Sequence, residues 1–441
     1  MTAPRWFAVL VLALALLTGT LIVGRPVGLG LTAVAIALVV AALAVAKRRD
    51  AWSLGLAAAA IGLASLALLR SAGWVVWPSL FAAVGLASLA AAGGRSWLQL
   101  GAGIAHVLRL DAGRALVRPA ASVRPPAAAL RGVALGAALL AVFVPLFATA
   151  DAAFAQLLEQ AMPEETFDRP IARIAAALAI LGLGGALLRA ATAQPAGAGA
   201  PAGRRLATLE WTVPLAALVT LFAAFVAIQL ATLYGGHEHV LDTAGLTYAE
   251  YAREGFAQLI VVAALTLAVI GAAGRWAPPA ARPLLIVLCL LTFVILASAL
   301  TRLGLYEEAY GFTRLRFSAH AIILWLGALF ALVVVALAIR RAGWLPRAAV
   351  AISAAAMLAF GLSDPDRRVA ANAVERYEDS GRIDHIMLAR LSPDAAPELA
   401  RLPPRLACLV RGDVGAAGGV AGANFARARA RDVVEGLNCA G

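Results

Sequence analysis

The sequence predicts an all-α, polytopic transmembrane helix bundle of about 11 spans, followed by a small helical extracytoplasmic C-terminal domain. Three observations carry the prediction. Apolar residues fill 62% of 441 positions and charged ones 14%, far from the roughly half and quarter of soluble domains. The apolar residues gather in runs near the ~20 residues a helix needs to cross the hydrocarbon core. Basic residues concentrate in alternate connections between those runs, as they do where loops stay in the cytoplasm.

Four spans come first: Trp6–Val23, Val27–Ala46, Ala51–Leu69 and Ser71–Ala92. The first follows Arg5 and reads alternatively as a signal peptide. Its apolar core is longer than a typical h-region and no A-x-A-like site closes it, which favours a retained span. Then come Gly132–Ala150, Pro170–Leu188, Trp211–Tyr234, Phe256–Gly274, Pro283–Leu300, Phe317–Ile339 and Ala348–Leu362, the last being the shortest. Between spans four and five, Trp97–Leu110 is apolar but too short to cross. It suits a helix lying in the interface or an ordinary cytoplasmic helix. The connector Thr192–Arg205 is rich in Pro, Gly and Ala and reads as flexible.

Charge sets the orientation. With the N-terminus inside, the inner connections and Arg5 hold 18 basic and 3 acidic residues, the outer loops 8 and 11, and the tail after Leu362 11 of each. Together these account for all 37 basic and 25 acidic residues. The positive excess therefore lies in short loops beside the membrane, where it orients helices and meets anionic lipid. This excludes nucleic acid as the explanation of a pI near 10.8. Eight of the nine tryptophans fall at span ends, as amphipathic rings prefer; Trp325 alone falls well inside a span. The expected partner is the lipid bilayer, and the expected location is the bacterial cytoplasmic membrane with the C-terminal domain outside.

The residues divide at Leu362 into a bundle, 1–362, and a charged tail, 363–441. Helical stretches are expected near Arg368–Tyr377 and Ile383–Arg390, a turn at Pro393 capped by Ser392, a second turn from Pro397, and a helix opened by Asn424. Cys408 and Cys439 lie in this tail, on the side where disulfides persist. A bridge between them would close a loop contributing about 3–4 kcal/mol on the loop-entropy model; the other reading is two unrelated thiols. Cys289, inside a span, is expected to pack.

Chemistry is sparse. Asp151, Glu307, Glu308, Arg314, Arg316 and His320 all fall at outer ends of spans five, nine and ten, with Arg302, Glu307, Glu308, Arg314 and Arg316 assigned to the loop between spans nine and ten. Ionisable groups near hydrocarbon are costly and tend to pair and serve function. An outward polar cavity holding these six would suit an anionic or other small solute, or a proton-coupled step. The plainer reading is a set of headgroup-level charges tying spans together. His237 and His239, with Asp242, form only a weak ligand pattern, so no metal is expected. No nucleotide, dinucleotide, zinc-protease or nucleophile-elbow motif occurs, and no cofactor is expected.

Three stretches carry a resemblance: Val144–Leu158 (VPLFATADAAFAQLL), Tyr310–Trp325 (YGFTRLRFSAHAIILW) and Asn372–Leu399, the last with Asn372, Arg376, Tyr377, Asp384, Leu391, Ser392, Asp394, Ala395 and Pro397. Together they resemble an uncharacterised family of bacterial multi-pass membrane proteins, domain of unknown function 4173 with its relative 4153. The resemblance runs from span five into the tail. It implies a membrane location and no particular activity. The functional expectation is small-solute transport, or sensing and scaffolding in the envelope; the alternative is an envelope enzyme acting on a lipid-linked or anionic substrate at the outer cluster.

Overall fold

The computed structural model describes residues 5–21, 25–46, 50–95, 97, 99, 215, 216, 218–227, 256–276, 279–412, 414, 419–437 and 439. Asp151, the interfacial stretch after Trp97, the connector at 192–205 and the His237–His239 loop lie outside the described residues. The chain divides into two compact units, one of residues 1–196 and 413–432, the other of 197–412 and 433–441.

In the first unit, α1 (Arg5–Leu21), α2 (Leu29–Val45), α3 (Ala51–Leu69) and α4 (Gly73–Ala92) follow the four expected spans closely. Helices α2, α3 and α4 pack on one another and α1 packs on α2. The closest pairing, α3 on α4, has a visible cause in the sequence. Ala57, Ala60, Ala64 and Ala67 recur at spacings of three and four, as do Ala83, Ala87 and Ala90, and all seven are buried. In lipid there is no hydrophobic drive between helices, so close approach along small residues supplies the packing energy. At one end, Asp50 caps α3 by accepting from the Ser53 amide at 2.9 Å and pairs with Arg95. The Trp52 indole donates to the Gly94 carbonyl there at 3.0 Å.

The opposite end of α3 is closed by residues from far along the chain. Asn424 Nδ2 donates to the Ala67 and Arg70 carbonyls, at 3.0 and 2.8 Å. The Leu29 amide donates to the Ala423 carbonyl at 2.9 Å, and the Arg427 guanidinium donates to the Val27 carbonyl and, at 2.9 Å, to that of Gly422. A helix end leaves carbonyls without intrahelical donors, and at the edge of hydrocarbon an unmet one is expensive. The Asn424 amide meets two of them.

The second unit contains Leu218–Ala227, α5 (Phe256–Trp276), α6 (Arg282–Tyr310), α7 (Arg314–Ala338) and α8 (Leu345–Leu362). Helix α6 packs on α5 and α7, and α7 on α8. Its core includes Leu288, Cys289, Ile295, Leu303, Ile323 and Phe330. Trp325, the tryptophan deep inside its span, donates from Nε1 to Ser353 Oγ on α8 at 2.9 Å; the polar edge of the ring is satisfied by a neighbouring helix instead of by headgroups.

One sequence expectation is corrected here. Arg302, Glu307, Glu308, Arg314 and Arg316 are not loop residues: α6 continues to Tyr310, α7 already begins at Arg314, and the connection is only Gly311–Thr313. From Leu300 to Tyr310 only Gly304 weakens a helix, and it stays within α6. Gly311, at φ 76°, is the first residue that enters the left-handed region at little cost. Thr313 then caps α7, its hydroxyl facing the Arg316 amide at 3.4 Å.

The remaining helices of this unit are α9 (Pro365–Ser380), α10 (His385–Ala389), α11 (Ala396–Leu399) and α12 (Pro404–Val410), and a 3-10 turn at Pro393–Ala395 runs directly into α11. Pro404 starts α12 at the position where a missing amide does no harm. Ala370, Val374, Leu388, Leu399, Ala407 and Val410 form a small core of their own. The sulfurs of Cys408 and Cys439 lie at bonding distance, 2.01 Å, with Cα atoms 5.6 Å apart.

Candidate functional site

The junction of α6, α7 and α9 gathers most of the polar groups singled out in the sequence, in two separate arrangements. The first is inside the α6–α7 hairpin. Glu307, three residues before the end of α6, is 7% exposed, and its Oε1 faces His320 Nδ1 at 3.3 Å. His320 lies on α7 one turn beyond Arg316, and its ring stacks on Phe312, 6.5 Å between centroids and 20° between planes. Arg316 is buried. Its guanidinium carbon sits 4.0 Å over the Tyr306 ring, and Nη1 donates to the Gly311 carbonyl. A cation on an aromatic face is favourable where water is scarce, so this arginine is held by the turn and the ring.

The second arrangement ties α7 to the segment after Leu362. Asp366, in the first turn of α9, is fully buried. It accepts from Arg314 Nε at 2.7 Å and Nη2 at 2.5 Å, and from the Ser392 amide at 2.9 Å. Burial alone would raise the Asp366 pKa, but the bonds from Arg314 and Ser392 outweigh it and hold the carboxyl below the ordinary carboxylate range. Around it, Asn372 Oδ1 accepts from the Phe312 amide at 3.2 Å and Ser392 Oγ donates to Asp394 Oδ2 at 2.9 Å. Arg376 reaches the Glu308 carbonyl at 3.5 Å and passes so near Gly311 that a side chain there would meet it. Arg367 and Arg401 bracket Glu398, at 2.8 and 3.2 Å. The bonds from Arg367, and next those from Arg401, lower its pKa despite partial burial.

Of the six residues expected to converge, Glu307, Arg316 and His320 come together, Arg314 turns to Asp366, Glu308 has an exposed side chain, and Asp151 is outside the described residues. Sequence reasoning missed Tyr306 and Asp366. A signal for the second existed: Asn372, Ser392 and Asp394, which recur in the tail motif, surround the same junction as the YGFTRLRF stretch, so the two motifs mark opposite sides of one contact.

Five of the described helices, α3, α4, α6, α7 and α8, are long and apolar enough to cross a bilayer. Large apolar side chains such as Phe81, Leu265, Leu324 and Leu16 stand exposed along these and neighbouring helices. This is an all-helical chain, among its described residues, of the membrane-protein class. A family model, domain of unknown function (DUF4153), matches residues 57–402, more than three quarters of the sequence, and the chain belongs to that family. The match begins within α3, well before the first stretch that carried the resemblance. No curated protein and no solved structure matches the chain.

Proposed function

We propose that this protein is a multi-pass protein of the bacterial cytoplasmic membrane, with 11 spans, the N-terminus inside and the residues after Leu362 outside, and that it serves as an envelope sensor or scaffold. The observation that carries the reading is the contact of Asp366 with Arg314. A buried carboxylate holds the first turn of a membrane helix through two charge-assisted bonds, which fix direction as well as distance. A load on α9 is therefore passed to α7. In the first unit Asn424 and Arg427 dock at the Arg70 and Val27 loops, and in the second Asn372 and Arg376 dock at the end of α6 and its turn; the charge alternation assigns each of these loops to the side of the tail, and the orientation itself rests on that alternation.

Small-solute transport is the second reading, favoured by the Glu307–His320 pair. A buried carboxylate facing an imidazole at the mouth of a membrane helix is suited to carry a proton with a solute. Arg314 and Arg316 already hold protein groups, which weakens anion capture.

The test is complementation of a deletion strain beside flux measurements in proteoliposomes. On the sensor or scaffold reading, Asp366→Ala inserts at the normal level but fails to restore envelope integrity under osmotic and detergent stress, and the wild type moves no protons with any small anion offered. Proton-coupled uptake that Glu307→Gln abolishes would replace this reading with transport. Reporter fusions after Leu362 active only in the cytoplasm would reverse the topology.

A further inference from the structure

The C-terminal segment of the first unit exposes apolar side chains where a water-facing segment would bury them. Helix α13 (Phe425–Glu435) turns Ala426, Arg427 and Ala430 inward. Phe425, Ala428, Arg429 and Asp432, spaced three and four apart on the other face, are exposed. Phe425 is 62% exposed, and Val420, in the turn before the helix, 79%.

The depth of these two side chains relative to the helices is fixed by hydrogen bonds. Asn424, next to Phe425, bonds the carbonyls of Ala67 and Arg70 at the end of α3. Ala423 accepts from the first amide of α2. The segment thus lies level with the ends of α2 and α3, where a bilayer changes from acyl chains to headgroups. Helix α4 starts at this same end, and its Trp77, in the second turn, is half exposed, the residue type that favours this level. A large ring at that depth with an arginine one turn further along is the pattern of a segment lying in the interface.

We propose that Phe425 and Val420 form an interfacial anchor, inserted at the boundary between headgroups and acyl chains of the leaflet at this end of α2 and α3, with Arg429 facing lipid phosphate. The anchor rests on the reading of this protein as membrane-embedded. It gives the face a bilayer surface as its occupant, continuous with the exposed apolar sides of α3 and α4, and makes the segment after Gly419 part of the membrane domain.

Nitroxide labels at Phe425→Cys and Val420→Cys, in the full chain carrying Cys289→Ala and reconstituted in lipid nanodiscs, test this through collision rates with oxygen and with a nickel chelate. Phe81→Cys, exposed in mid-helix, is the lipid reference, and Glu378→Cys, on α9, the aqueous one. The anchor requires an oxygen-to-nickel ratio at 425 and 420 close to that at 81 and several-fold above that at 378. A ratio at 425 equal to that at 378, with 81 still in lipid, overturns the anchor alone. Shielding of 425 from both reagents, with an immobilised spectrum, overturns it in favour of a covering protein or second copy. A water-like ratio at 81 removes the membrane reading and the anchor with it.

Discussion

Replacing Asp366 with alanine takes away the acceptor of three hydrogen bonds, two from Arg314 and one from the Ser392 amide. Hydrogen bonds to charged groups contribute roughly 1.5–3 kcal/mol each, and removing one partner of a buried ion pair costs about 3–5 kcal/mol. Here the carboxylate is fully buried but the Arg314 side chain is 36% exposed, so its guanidinium keeps contact with water when Asp366 is removed. The cost therefore falls at the lower end, about 3 kcal/mol. Each 1.4 kcal/mol is about tenfold, and the open population of Pro365–Ser380 should rise roughly a hundredfold. Amide hydrogen exchange of α9 in nanodiscs measures this directly. Asp366→Asn keeps an acceptor for the Ser392 amide and loses the charge, so its exchange should fall between the two. Unchanged protection of α9 in a folded Asp366→Ala protein would refute the claim that this pair holds α9 to α7.

The same pair has a pH signature. The folded pKa of Asp366 lies below its ordinary 3.8, so its contribution is complete above about pH 4 and is lost as pH falls through the lowered value. Protection of α9 in the wild type should drop on strong acidification, and that drop should be smaller in Asp366→Asn, where the pairing of Arg367 with Glu398 is left to titrate. Asn424→Ala leaves two carbonyls at the end of α3 without their donor, at about 1–3 kcal/mol each if water stays excluded; trypsin should then cleave the arginines of α13 faster by one to two orders of magnitude. Gly28→Ala should produce the same loosening, because a methyl there would stand 2.4 Å from the Ala423 carbonyl oxygen and the Leu29–Ala423 bond would have to open. Ala64→Leu adds bulk at a fully buried position of α3 and should lower the unfolding temperature in detergent, by the equivalent of about 1–3 kcal/mol for overpacking; an unchanged temperature would mean that the alanine stripe is not closely packed.

The length of apolar runs and the flanking charge sufficed to find the five described helices long enough to cross a bilayer, α3, α4, α6, α7 and α8, because a bilayer constrains length so strongly. The run Ala51–Leu69 is a helix with those ends, flanked by Asp50 and Arg70, which sequence alone marks as boundaries. The end of α6 was misread because charge was taken as a loop signal, whereas Glu307 and Glu308 continue the helix and only Gly311 stops it. Asp366 was passed over for the opposite reason: it sits in a charged tail, where local pattern does not separate buried carboxylates such as Asp366 and Asp394 from exposed ones such as Glu378, and only the neighbouring tail motif marked the junction. Asn424 was recognised as a helix cap, a local role its Oδ1 does fill toward the Arg427 amide at 3.1 Å. Its Nδ2 serves carbonyls 357 and 354 positions away, and no local pattern encodes that.

That separation bears on how the protein is made. Ribosomes add about 5–20 residues per second, so the end of α3 emerges roughly 20–70 s before the side chain that completes it. Through that interval its terminal carbonyls must borrow water or headgroup donors. A nascent chain halted anywhere before Asn424 would carry an unfinished end of α3, a ready mark by which quality-control proteases could tell a partial product from a finished one.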